Sequence, residues 1–122
     1  MNKSPSFLTG PTEPPLWNLT LGELLRQQAD DIPSRPCIFF PEYNHRVTYR
    51  QLYHKTLTVA KGLLSAGICR GDRIGIFAGN CPSYVELLFA ASHVGALLVV
   101  LNCTYTITEL KSALSHSGSC YL

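Results

Sequence analysis

The chain has 122 residues, enough for one small domain, and 46% of them are apolar, enough for a core. Only 15% are charged, against about 25% in an ordinary soluble domain, which fits a piece that packs against further protein. A net charge of +2 is too small to imply a nucleic-acid partner, and none is expected.

Residues 1–18 are expected to form a flexible N-terminal arm, with proline, serine, threonine and glycine concentrated from Ser4 to Pro15. No apolar run follows a basic start, so the arm does not read as a secretory leader. Thr20-Leu21-Gly22-Glu23 spells a capping box, in which the threonine hydroxyl and the glutamate carboxylate satisfy each other's backbone amides. Leu21, Leu24, Leu25 and Gln28/Ala29 follow at helical spacing, and Pro33 ends the helix. Cys37 to Phe40 reads as a short strand, and Glu42 to His45 as a polar turn.

From Arg46 onward strand-like and helix-like segments alternate three times. Thr48-Tyr49-Arg50-Gln51 is a second capping box. The helix behind it places Tyr49, Leu52, Thr56, Val59, Ala60, Leu63 and Leu64 on one face, with Arg50, His54, Lys55, Lys61 and Ser65 on the other. Gly67 stands where a left-handed terminating residue belongs. Gly71-Asp72 predicts a turn. Ile74 to Ala78 predicts a strand buried on both faces, because polar residues do not alternate with apolar ones. Asn80-Cys81-Pro82 opens a mainly apolar helix through Val94, Gly95 ends it, and Ala96 to Leu101 predicts another buried strand. A third capping box, Thr106-Ile107-Thr108-Glu109, opens a helix with Leu110, Ala113 and Leu114 inward; Gly118 closes it and Cys120-Tyr121-Leu122 begins a further strand. This order predicts an α/β fold: right-handed crossovers onto a parallel sheet with helices on its faces.

The chemistry-bearing residues are sparse. Cys37, Cys69, Cys81, Cys103 and Cys120 are odd in number and scattered, with no Cys-x-x-Cys and no zinc spacing; they read as small buried residues of a reducing compartment. No phosphate loop, dinucleotide fingerprint or nucleophile elbow is present. Gly75 lies inside a predicted strand and reads as a packing glycine. His116 and Cys120 are four apart, but Gly118 between them separates their faces. Glu109 is used by its cap, Glu86 is assigned to a helix first turn, and His93 reads as a core or boundary histidine. Six basic residues (Arg46, Arg50, Lys55, Lys61, Arg70 and Arg73) face one acid, Asp72, over residues 46–73, and read as a solvated helix face with its flanks. Val85 to Leu101, the most apolar stretch, is short for a bilayer and carries Glu86, Ser92 and His93, so no transmembrane segment is expected. The residues themselves thus give no catalytic, cofactor-binding or metal position.

Several ordered pieces carry a family resemblance. Val47-Thr48-Tyr49-Arg50-Gln51-Leu52 is similar to a Thr-Tyr-x-Glu/Gln-Leu helix start, and Gly67-Ile68-Cys69-Arg70-Gly71-Asp72-Arg73-Ile74 to a Gly-Val-x-x-Gly-Asp-Arg-Val lead into a strand. Asn80-Cys81-Pro82-Ser83-Tyr84 matches Asn-x-Pro-x-Tyr/Trp. Gly95-Ala96, Leu101-Asn102-Cys103-Thr104-Tyr105 and Glu109-Leu110 follow a Gly-Ala … Leu-Asn-Pro-x-Tyr … Glu-Leu run, with Cys103 where proline is common. Together they resemble the N-terminal portion of the adenylate-forming superfamily, the AMP-dependent synthetases and ligases, in its acyl-CoA synthetase branch, over about Leu21 to Leu122.

The resemblance implies a partial parallel sheet in a three-layer arrangement, with 19–122 an incomplete, truncated N-terminal domain of that fold. It implies that intact members use ATP, magnesium and coenzyme A on a carboxylic acid, fatty or aromatic. The family's Ser/Thr/Gly-rich phosphate loop, acidic ATP–magnesium motif, hinge and catalytic lysine have no counterpart in these residues, so no site position carries over. The expected role is an inactive scaffold piece that binds no cofactor alone. A stand-alone module that docks or dimerises through an exposed sheet edge is the alternative. The expected location is the cytoplasm, with the peroxisome for full-length relatives.

Overall fold

The computed structural model describes residues 9–122; residues 1–8 of the expected arm lie outside the described residues. Residues 9–20 are exposed and carry no helix or strand. The elements that follow are α1 (Leu21–Asp31), β1 (Pro36–Phe40), a single 3-10 turn (Pro41–Tyr43), β2 (His45–Thr48), α2 (Tyr49–Ser65), β3 (Arg73–Phe77), α3 (Pro82–Val94), β4 (Leu97–Leu101) and α4 (Ile107–Ser117).

All three capping boxes form as spelled. Thr20, Thr48 and Thr106 each accept from the amide three residues on, and Glu23, Gln51 and Glu109 each accept the threonine amide in return. The stops are equally local. Gly95 (φ 79°) and Gly118 (φ 65°) cap α3 and α4 in the left-handed conformation that side chains disfavour. Pro82 opens α3, where its missing amide costs nothing. Asp72 shapes the turn before β3 by accepting from the Cys69 amide at 2.8 Å.

The strands divide into two sheets. β3 and β4 run parallel in register from Arg73↔Leu97 to Phe77↔Leu101, joined by the crossover through α3. On the other side of β3, Ile74 bridges Tyr121 in parallel, with the Gly75 amide donating to the Tyr121 carbonyl at 2.7 Å. The expected last strand is thus present as one bridge. β1 and β2 form a separate antiparallel hairpin with an irregular register between Pro36 and Ile38. The segment from His45, expected partly as turn, is a strand outside the parallel sheet.

Helices lie on both faces. Ile74 sits in a core with Ile68 and Ala91, flanked by Leu63, Leu87, Val94, Ala96 and Leu98 from the α2–α3 side. Arg73 and Gly75 lie on the face opposite Ile74, because successive strand residues alternate. The Arg73 guanidinium accordingly reaches the Ser117 carbonyl of α4 at 3.0 Å. Burying an isoleucine such as Ile74 contributes about 2 kcal/mol.

Several burial expectations need correction. β3 is buried at Ile74, Gly75 and Ile76, but β4 is not a buried strand: Leu97 is 49% and Val100 62% exposed. β4 pairs with β3 alone among the described residues, so nothing covers its second edge. Leu21 and Leu64 face solvent, α1 burying Gly22, Leu25 and Ala29 and α2 burying Leu52, Thr56 and Ala60. Leu110, Ala113 and Leu114 reach only half-burial, since α4 has few neighbours. None of the five cysteines is buried: Cys37 and Cys81 are half-buried and Cys69, Cys103 and Cys120, in turns and loops, are exposed.

Candidate functional site

A polar cleft lies where α1, α2 and α3 meet, a depression of about 540 Å³ open to solvent. Thr20, Glu23 and Arg26 border it from α1, Tyr53 from α2, and Ser92 and His93 from α3; Arg70 and Gly95 close the far end.

His93 is its centre. Nε2 lies 3.3 Å from Thr56 Oγ1, and the imidazole meets the Tyr53 ring edge-on at 5.8 Å between centroids. Thr56 is 0% exposed, and its hydroxyl donates to the Tyr53 carbonyl at 2.8 Å. Burial holds the His93 ring below its ordinary protonation range. Glu23 is held below the usual carboxylate range by hydrogen bonds from the Thr20 amide and hydroxyl, with Arg26 adding a smaller attraction. The boundary reading of His93 stands, while its partner Thr56 lies 37 residues away, and spacing along the chain does not pair the two.

The other carboxylates do not converge. Glu109 is tied to Thr106, which holds it below the usual range in the same way. Glu86 lies in the second turn of α3 rather than the first, and borders a groove with His45, Arg46, Gln51 and Lys55. His116 is exposed in the last turn of α4, and the Cys120 thiol faces the Gly118 carbonyl at 3.6 Å, so the two do not form a pair. Burial raises the Cys37 thiol above its ordinary value, which makes it a poor nucleophile.

Magnesium takes several carboxylate or phosphate oxygens. Among the described residues no three His, Cys, Asp or Glu side chains group as ligands, and two of the acids are committed to caps. This donor set does not fit a magnesium–nucleotide site. The cleft can hold a neutral histidine in one orientation; it offers no nucleophile–base pair.

The sequence profile of the AMP-binding enzyme family matches residues 25–122. The chain belongs to that family. It is 54% identical over 109 residues to the acyl-CoA ligase SID4 of Ajellomyces capsulatus, covering 89% of this chain and 18% of that protein. It is 50% identical over 112 residues to the acyl-CoA ligase sidI of Aspergillus fumigatus, covering 92% of this chain and 19% of that protein. The inhibitor-bound N-terminal domain of FACL13 from Mycobacterium tuberculosis superposes with a TM-score of 0.80 at 30% identity, over 84% of this chain and 26% of that one. The chain therefore spans less than a fifth of the two fungal ligases. The fold is that of part of an adenylate-forming N-terminal domain, as the motif order implies. The likeness gives no support to a stand-alone binding module. Among the described residues no helix is long and apolar enough to cross a membrane.

Proposed function

We propose that this chain is framework of an acyl-CoA ligase, the part of the sheet that backs an active site built by other polypeptide. The observation that carries this is β4. Its Leu-Leu-Val-Val-Leu sequence is that of an inner strand, yet among the described residues it hydrogen-bonds on one side only and leaves Leu97 and Val100 exposed. An apolar edge of this kind is an aggregation hazard unless it is covered. The remainder of the family's domain is the cover this edge fits.

In the complete ligase, a carboxylate oxygen attacks the α-phosphorus of ATP and expels pyrophosphate. The thiol of coenzyme A then displaces AMP from the acyl adenylate. AMP is the better leaving group, and magnesium offsets the charge of the transferring centre. The residues described here hold strands and helices in place for that chemistry and take no proton or phosphoryl group themselves. Residues 1–18 are the arm that precedes the domain begun at 19. Self-association through the open edge competes with its proper covering. The three exposed free cysteines suit a reducing compartment, cytoplasmic or, for full-length forms, peroxisomal.

The test is the coding sequence in frame after the Leu122 codon. A Ser/Thr/Gly-rich loop followed by lysine is expected there. Transcripts that carry none, in a cell where the chain accumulates as a stable protein, would overturn the proposal.

A further inference from the structure

We propose that His93 is a proton-gated clamp: neutral, with its hydrogen on Nε2, it ties α3 to α2 through Thr56 and seats the first turn of α1 against Nδ1, and protonation loosens α1. The inference is independent of the ligase framework proposed above.

The hydrogen-bond chain assigns the tautomer. Thr56 Oγ1 has one hydrogen, and the Tyr53 carbonyl takes it at 2.8 Å. The 3.3 Å contact with His93 must therefore have Nε2–H as the donor and Oγ1 as the acceptor. In the neutral ring this leaves Nδ1 with a lone pair and no hydrogen.

Nδ1 meets α1 at its least substituted point. A Cβ placed on Gly22 would stand 2.7 Å from Nδ1 and 3.1 Å from the adjoining ring carbon. Gly22 is buried in the first helical turn, where backbone amides lack intrahelical acceptors and the helix carries partial positive charge. A ring nitrogen with a lone pair is compatible with that turn. A second N–H sets a charged donor against that buried turn, where the other polar atom at the contact, Ser92 Oγ, already donates to the Phe89 carbonyl.

Few charged groups face the ring. From α1, Arg26 and Glu23 border the cleft, and Arg70 borders it from the turn before β3. The Glu23 carboxylate is occupied by the Thr20 amide and hydroxyl, at 2.8 and 2.9 Å. From α2 the facing groups are Tyr53 and, behind it, His54, at 5.9 Å from the Tyr53 ring. Burial is the cause that disfavours the imidazolium, and the one facing carboxylate is already committed to Thr20.

The sign follows from linkage. A ring whose protonation is disfavoured when folded binds its proton more readily in the loosened state. Stability is therefore full above the ordinary imidazole value of 6.5 and falls as the pH drops through it. The loss is expected in α1, whose buried Gly22 meets the ring, with Leu25 and Ala29 the other buried residues of that helix.

Two measurements on the 122-residue chain test the clamp. Long-range nitrogen–proton NMR, with His93 assigned through its contacts to Thr56, is expected to show the Nε2–H tautomer and a midpoint below the ordinary imidazole value of 6.5. Hydrogen exchange of the α1 amides, corrected for intrinsic rates, is expected to accelerate several-fold between about pH 7.5 and about pH 5.5. The same shift is expected to leave α1 exchange unchanged in His93→Gln, whose amide keeps a donor for Thr56. An Nδ1–H ring, a midpoint at or above 6.5, equal acceleration in His93→Gln, or an α1 unprotected at both pH values would each overturn the proposal. If His93→Gln does not fold, the wild-type tautomer and midpoint decide alone.

Discussion

Arg73 and Ser117, separated by 44 residues, are joined by a 3.0 Å hydrogen bond from the Arg73 guanidinium to the Ser117 carbonyl. Arg73 opens β3 and Ser117 ends α4, so the contact fastens the last helix to the central strand on the face opposite Ile74. A cation at a helix C-terminus also meets the negative end of the helix dipole.

Arg73→Met keeps the aliphatic stem and removes the donor. It is expected to destabilise the fold by about 1 kcal/mol. Hydrogen exchange will locate the loss in α4 and in the Tyr121 bridge, with α1–α3 unaffected. A loss spread evenly over the chain would show that the contact has no local role.

The three capping boxes give a contrast in acid. Glu23 and Glu109 are depressed below the ordinary glutamate value of 4.5 by their threonine hydrogen bonds. A depressed carboxylate contributes stability that is present above that value and lost as the pH falls through the folded value. The α2 box uses Gln51, which does not titrate. Acid titration followed by amide exchange should therefore fray the starts of α1 and α4 before that of α2, and Gln51→Glu should bring α2 into line. Thr48→Ala is expected to cost about 1 kcal/mol at any pH.

Glycine to alanine inside a helix ordinarily stabilises by about 0.5–1 kcal/mol. At Gly22 the sign is expected to reverse, because the added methyl meets a ring that Thr56 holds in place. Gly62, on the exposed side of α2 with open space around it, is the control in which the ordinary gain should appear. Thermal melts of Gly22→Ala and Gly62→Ala, moving in opposite directions, check both statements.

Much of this fold could be read along the chain because its punctuation is local. A threonine and a glutamate three residues apart, or a glycine after an apolar helix, act through neighbouring backbone groups, and every such reading matches the structure. What escaped depends on partners distant in sequence. The strand His45–Thr48 is short and half polar, and only its pairing with Pro36–Phe40 makes it a strand. Leu97–Leu101 has the sequence of a strand covered on both sides, and its exposure depends on what lies beside it. The His93 junction left a faint mark: Thr56 interrupts an apolar face of α2, and His93 interrupts an apolar α3. Two polar intrusions on facing helices are a signal that each satisfies the other, but spacing along one chain does not say which faces meet.

The central claim is that these residues frame a ligase without supplying its reactive groups, and ATP–pyrophosphate exchange tests it most directly. Purified 122-residue chain, given ATP, magnesium and a panel of fatty and aromatic acids, is expected to show no exchange above the protein-free background. Acid-dependent exchange by this chain alone would contradict the account.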